Sequence, residues 1–400
     1  MKLHNPSHLE AYPPEIPVTR RHTHRGDAAV EARVRQDLSR MAAGVAADLG
    51  ERMDALLLVG PYARGEGGVV SHGEEPSAHP GYSCLVLAGR GPIEHEQLRQ
   101  LERAWAARLD ISVHLDSAST AALPRMPPSL WWLDIARGNV EVLAGDPQLL
   151  QRLPALDVSS VPQSECGWLL SEAAASVAIS RLSTDVEPLD RMRHLHCAVI
   201  ACGDARILLS GRFGGTMRGR CSQLQALAAP EGLLEAYADA IAFLGRPDHW
   251  RPSDNETMEA WETRMGACVA RWHLTFEAGR LGTPTSIDGF ARSRRAVYSA
   301  PRAPGVRSRI RGAVRKLLSP APGFPYHDTP HEVMPRAAVA LAYGGERASN
   351  RLMAARLLGL APTGGPPSTA RLLAALQRLL PELRGADLGR LFDGTFYGPR

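Results

Sequence analysis

The chain has 400 residues, of which 44% are hydrophobic and 22% charged, and its formal net charge is +4. This composition is typical of globular proteins, and the length predicts two or three domains. Apolar runs are far shorter than the roughly 20 residues of a membrane span, and no apolar leader precedes them, so we expect neither a membrane partner nor a secretory signal. The six cysteines form no CxxC pair, which argues against disulfides and zinc and favours a cytoplasmic protein.

The N-terminal part of the chain predicts a small α/β domain. Residues 1–27 are rich in proline and histidine and predict a flexible arm. Apolar residues at helical spacing follow, and they predict a helix over residues 29–51. Strands are expected at 54–59, 81–88, 109–115 and, more briefly, 140–143, with a helix at 92–108 and a polar loop at 67–80. We place this domain at residues 28–157, as an α/β (α+β) fold with a small mixed sheet.

The remaining sequence predicts helices. Long helical patterns occupy most of residues 158–285, which we interpret as an all-helical bundle domain. Residues 286–400 form a region of their own, with a basic linker and C-terminal helices. The basic stretch within it, residues 292–316, lies in a segment without acidic residues and has few aromatic residues.

The stretch GPYARGEGG, Gly60 to Gly68, follows the strand that ends at Val59. A strand that breaks into a glycine-rich turn can present backbone N–H groups to phosphate. Gly60, Ala63, Arg64 and Gly65 match a G-S turn followed by A-R-G, a pattern that resembles the nucleotidyltransferase superfamily, the DNA polymerase β-like fold that includes bacterial aminoglycoside nucleotidyltransferases. The segments 130–147 and 201–213 also resemble parts of such proteins. The resemblance implies phosphate contacts by Gly60, Arg64 and Gly65.

In that family a D-x-D pair on the next strand and a third carboxylate on a neighbouring strand hold magnesium for nucleotidyl transfer. Residues two apart on a strand share a face, which is why the pair is spaced in this way. Here Gly81 and Ser83 stand at the D-x-D positions, and Pro61, which lacks an N–H donor, replaces the serine of the turn. Asp110 is the possible remnant of the third carboxylate. These substitutions predict that the catalytic site is degenerate.

Three functions follow from this interpretation. The first is a pseudo-nucleotidyltransferase that binds a nucleotide or a protein partner without a cofactor. The second is an active magnesium-dependent enzyme that moves a nucleoside monophosphate from a nucleoside triphosphate to a hydroxyl of a small molecule or a protein. Its metal ligands would be Asp110 with a loop glutamate, namely Glu66, Glu74 or Glu75, and Asp116 and Asp134 are further carboxylates nearby in sequence. The third is a nucleic-acid-binding protein that uses the basic C-terminal region.

Asp204 and Arg206 lie within an apolar helical pattern of the second domain. A carboxylate there needs a charged partner if it is buried. One interpretation places both residues in the wall of a nucleotide or acceptor cleft. The other is an ion pair within or between helices, which would be purely structural.

Overall fold

The computed structural model of the protein describes residues 21–24, 26–72, 75–137, 139–183, 188–252, 256–282, 286–293, 330–360 and 367–383. Over these residues the protein is a mixed α/β structure with a small mixed sheet and many helices, as the sequence predicts. Glu74 and nearly all of the basic stretch 292–316 lie outside the described residues. None of the described helices combines the length and apolar character that crossing a membrane requires.

The α/β region contains helices α1–α4 and strands β1–β6. In chain order these are α1 Ala28–Leu49, β1 Met53–Val59, α2 Gly60–Arg64, β2 Gly68–His72, β3 Glu75–His79, β4 Gly81–Ala88, α3 His95–Leu109, β5 Ser112–Ser119, α4 Leu130–Ala136 and β6 Glu141–Gly145. The sheet order is β5-β4-β1-β6. Strand β1 is antiparallel to both β4 and β6, whereas β4 and β5 are parallel.

The two faces of the sheet are covered differently. Successive side chains of a strand point to opposite faces of the sheet. Leu56 and Leu58 of β1 pack with α1 and α3 on one face. Leu57 and Val59 pack on the other face, against Trp131 and other residues of the segment around α4. Both faces of the sheet are therefore buried, which explains why the sequences of the central strands β1 and β4 are nearly continuous apolar runs.

Two local expectations are corrected. The stretch 67–80, predicted as a loop, forms the β2–β3 hairpin, and the backbone N–H of Ser71 donates to Asp248 Oδ2 at 3.0 Å. The third strand begins at Ser112 rather than at Leu109, because α3 continues to Leu109 and Asp110 ends it in the left-handed conformation (φ 55°). Both differences depend on contacts or backbone geometry that apolar periodicity does not encode.

The end of the predicted arm belongs to the folded region. His22 and Thr23 are buried, and Thr23 forms a parallel bridge with Gly67. Their backbone N–H groups donate to the carboxylate of Glu31 on α1 at distances between 2.7 and 3.1 Å. The chain is therefore tied to the fold from at least His22 onward.

The second part of the chain is helical. Its helices are α5 Ser164–Leu182, α6 Pro188–Leu209, α7 Met217–Gln225, α8 Leu233–Gly245, α9 Met258–Leu281, α10 Ile287–Arg292, α11 Pro330–Gly344, α12 Ala348–Leu357 and α13 Thr369–Leu383. One apolar cluster runs through them, and α11 packs closely against α5. The described C-terminal helices, which the sequence assigned to a separate region at 286–400, thus share the core of the preceding helices.

Candidate functional site

The glycine-rich turn follows β1, as the sequence predicts, but its first five residues, Gly60–Arg64, form the short helix α2. Gly60, Pro61 and Ala63 are buried, and Gly65 ends α2 in the left-handed conformation (φ 75°). A Cβ on Gly65 would also lie 2.8 Å from the backbone oxygen of Arg21. Glycine is thus required at position 65 by backbone conformation and by the chain segment that crosses it.

Arg64, the predicted phosphate contact, is buried between two carboxylates. Its Nε lies 2.8 Å from Glu66 Oε2, and its Nη1 lies 2.7 Å from Asp134 Oδ2 on α4. The Arg64 side chain is only 3% exposed. A phosphate that approached this guanidinium would meet a buried group whose charge two carboxylates already neutralise.

Glu66, one of the loop glutamates considered as a metal ligand, is fully engaged in the fold. Besides Arg64 it accepts a hydrogen bond from the backbone N–H of Met217, at the start of α7. A carboxylate is favourable at this position because helix N-termini have unsatisfied N–H groups. Glu66 therefore joins the glycine-rich turn to the helical region.

Gly81 and Ser83, which the resemblance would place at the carboxylate pair, lie on the sheet face covered by the segment around α4. Ser83 pairs with Val59 of β1, and its side chain is buried. No Asp or Glu occurs anywhere in the β4 sequence GYSCLVLA, so a shifted register would not supply a carboxylate either. At Gly81 a Cβ would lie 2.1 Å from the backbone oxygen of Ser112. An aspartate at position 81 would thus require β4 and β5 to move apart.

Asp110 lies outside this face of the sheet. It is exposed and ends α3, before β5 begins. Within β5, Asp116 is the carboxylate whose neighbour is Leu85, on the face of Ser83. The sequence analysis favoured Asp110 over Asp116 because it started the strand three residues too early. Among the described residues, no group of three or more His, Cys, Asp or Glu side chains could hold a metal ion.

Asp204 forms a buried ion pair between helices, which is the second of the two interpretations that the sequence allowed. It accepts hydrogen bonds from Arg220 on α7 and from the Tyr237 hydroxyl on α8, the latter at 2.6 Å. Burial raises the pKa of the Asp204 carboxyl, while the charge of Arg220 and the Tyr237 hydrogen bond oppose the shift. Arg206, in contrast, is exposed and donates to the backbone oxygen of Ala228 at 3.2 Å.

The two groups of ion pairs are close enough to influence each other, since Arg64 and Glu66 act electrostatically on Asp204. We call them together the interface cluster, and its members are Arg64, Glu66, Asp134, Asp204, Arg220 and Tyr237. Sequence reasoning missed Asp134, Arg220 and Tyr237 as partners, since no local pattern pairs residues so far apart. Every carboxylate of the cluster already has an arginine partner or accepts a backbone N–H. The ion pairs and hydrogen bonds of the cluster therefore link the α/β region to the helical region.

Comparison with known proteins gave no match: no protein-family model, curated protein or solved structure is significantly similar to this chain. The resemblance to nucleotidyltransferases therefore stays a prediction.

Proposed function

We propose that this protein is a nucleotidyltransferase-like protein without catalytic activity, which acts by binding a partner. The order of elements supports the proposal, because a glycine-rich turn follows β1 and a hairpin leads to β4, the neighbour of β5. The observation that carries it is at Gly81. The backbone of Ser112 fills the space that a side chain at position 81 would need, so the site of the first catalytic carboxylate is closed by the sheet itself.

The geometry favours a protein partner over a nucleotide. Arg64 is the side chain through which the turn would contact phosphate, and two carboxylates already neutralise it. A nucleotide would bring further negative charge next to Glu66 and Asp134, and this repulsion opposes binding. A protein partner can use the outer surface of the fold and leave these ion pairs intact.

The second candidate is the active magnesium-dependent enzyme, but the positions of its proposed metal ligands do not support a shared metal site. Asp110 is exposed at the end of α3, whereas Glu66 is buried against α7. The nucleic-acid hypothesis depends on the basic stretch 292–316, which lies almost entirely outside the described residues. We therefore propose binding without catalysis, in the cytoplasm, with no metal cofactor.

Thermal unfolding with ATP, GTP, CTP and UTP, each with and without Mg²⁺, tests this proposal. A ligand at about a hundred times its dissociation constant adds roughly 2.7 kcal/mol to the free energy of unfolding, which raises Tm by a few degrees. We expect no magnesium-dependent rise in Tm, and such a rise would contradict the proposal. A rise without magnesium would identify a nucleotide as the partner. In that case Arg64→Gln should abolish the rise, and the exposed control Arg206→Gln should retain it.

A further inference from the structure

A shallow groove runs between α1 and the C-terminal end of α3, on the sheet face opposite α4. Its volume is about 790 Å³, and its polar lining comprises Arg33, Gln36, Asp37, Arg40 and Arg108. Arg33, Gln36 and Arg40 are exposed on α1, and Arg108 is exposed on α3. The groove thus has three arginines and one carboxylate along its walls.

Two arginines of the groove, Arg40 and Arg108, differ from other arginines on the same helices. Arg35 of α1 lies 4.0 Å from Glu31, and Arg103 of α3 donates to Glu96 at 2.8 Å. Within the described part of the chain, Arg40 and Arg108 have no ion-pair or hydrogen-bond partner; the Arg108 guanidinium instead stacks on Trp105, 4.8 Å from the ring centroid. The guanidinium groups of Arg40 and Arg108 are therefore less compensated by ion pairs than those of Arg35 and Arg103, and an anionic ligand can reach them. Asp37 offsets part of the positive charge, since Arg33 and Arg40 both act on it electrostatically.

The spacing of these charges indicates an extended ligand. Arg33 and Arg40 are seven residues apart on one face of α1, which separates their Cα atoms by about 10 Å. This distance corresponds to about three residues of an extended peptide. A peptide with carboxylates at this interval could pair with both arginines at once.

Two features favour an acidic peptide over a nucleic acid. No aromatic residue is among the described residues that line the groove, so bases would lack a stacking surface. Asp37 lies between the arginines, and the Tyr82 hydroxyl lies 3.5 Å from its Oδ2. A continuous phosphate backbone would bring a negative charge to Asp37, whereas a peptide can place an amide or a basic residue there.

We propose that this groove binds an acidic, extended segment of a partner protein. The inference rests on the proposed function, because it names the partner class and the surface of a protein that acts by binding.

Fluorescence anisotropy with a fluorescein-labelled hexaglutamate peptide tests this inference. The groove variant is Arg33→Ala, Arg40→Ala and Arg108→Ala. Its matched control is Arg206→Ala, Arg271→Ala and Arg356→Ala, which removes three exposed arginines from the helical region. Both variants lose three positive charges, and the Tm of each reports whether it folds. We expect the groove variant to bind roughly tenfold more weakly than the unaltered chain, and the control to change by less than about twofold.

Equal weakening in both variants would overturn the inference, since it would mean attraction by net charge alone. Failure of the unaltered chain to bind the peptide would also overturn it. So would tighter binding of an oligouridylate RNA that is lost in the groove variant, because the groove would then bind nucleic acid. These outcomes are distinguishable from failure of the proposed function, which would appear as a magnesium-dependent nucleotide shift in the unaltered chain and in the groove variant alike.

Discussion

His22 is buried between two glutamates where the chain enters the fold. Its Nδ1 lies 3.2 Å from Glu31 Oε2 on α1, and its Nε2 lies 2.9 Å from Glu141 Oε2 on β6. Burial alone would lower the pKa of His22, but hydrogen bonds with both glutamates and their negative charges raise it from 6.5 to about 9. Burial would likewise raise the pKa of Glu31, but hydrogen bonds with His22 and Thr23 lower it to about 2. The protonated imidazole therefore joins the chain entry, α1 and the edge strand.

This arrangement predicts how His22→Gln changes stability with pH. A raised pKa means that the protonated histidine stabilises the fold fully below pH 6.5, and that this contribution disappears as the pH rises through about 9. We expect urea denaturation at pH 6 to show a loss of about 2 kcal/mol in the variant, shrinking toward zero by pH 10. The exposed histidine variant His249→Gln, measured over the same pH range, is the control. A loss in His22→Gln that stays constant from pH 6 to pH 10 would contradict the assignment of a charged imidazole.

At the scale of elements, α7 depends on a residue far away in the chain. Thr216 caps the helix locally, since its hydroxyl oxygen accepts from the backbone N–H of Gly219 at 3.1 Å. The N–H of Met217 instead donates to Glu66, which also binds Arg64. One carboxylate thus stabilises both the start of α7 and the guanidinium beneath the glycine-rich turn.

Two variants separate these contributions. We expect Glu66→Ala to cost about 2–3 kcal/mol, because it removes a charged acceptor from a buried N–H and from an arginine. Thr216→Ala should cost about 1 kcal/mol, the usual effect of losing a local cap. Hydrogen exchange should show faster exchange in α2 and α7 for Glu66→Ala, and in α7 alone for Thr216→Ala. Unchanged exchange in α2 after Glu66→Ala would refute the structural role of this glutamate.

At the scale of the whole molecule, polar contacts join the α/β region to the helical region at separate places. The backbone N–H of Leu130 donates to Glu165 Oε2 at 3.2 Å, and Arg137 Nη1 donates to the backbone oxygen of Phe213 at 2.5 Å. The contact between Ser71 and Asp248 lies at the hairpin. Separation of the two regions would leave several of these buried polar groups without partners, which is costly.

We therefore expect calorimetry of the full chain to show one unfolding transition, with calorimetric and van't Hoff enthalpies that agree. Asp248→Ala should lower the stability by about 1–2 kcal/mol without splitting this transition, because the remaining contacts still couple the regions. The exposed Glu259→Ala on α9 should leave Tm nearly unchanged. Two resolved transitions in the unaltered chain would show that the regions unfold independently.

Elements that depend on the spacing of apolar residues over a short segment could be predicted from the sequence. The strand Gly81–Ala88 has the predicted bounds, and α1 begins and ends within two residues of its predicted bounds. Apolar spacing over residues 224–244 predicts a single helix, but this range contains the end of α7, a connection and α8, and Gly232 adopts a left-handed conformation just before α8. The hairpin was missed because its strands, GVVSH and EPSAH, have no regular alternation of apolar and polar residues.

By itself the sequence determined the mixed α/β class, the glycine-rich turn after β1 and the lack of any carboxylate on β4, since these depend on residue type and local spacing. The tertiary structure decided that Arg64 is paired with Asp134, 70 residues along the chain, and that Asp116 rather than Asp110 lies on the face of Ser83. It also decided that position 81 has no room for a side chain. Such contacts arise only when the chain closes on itself, and burial then fixes which charges must be paired.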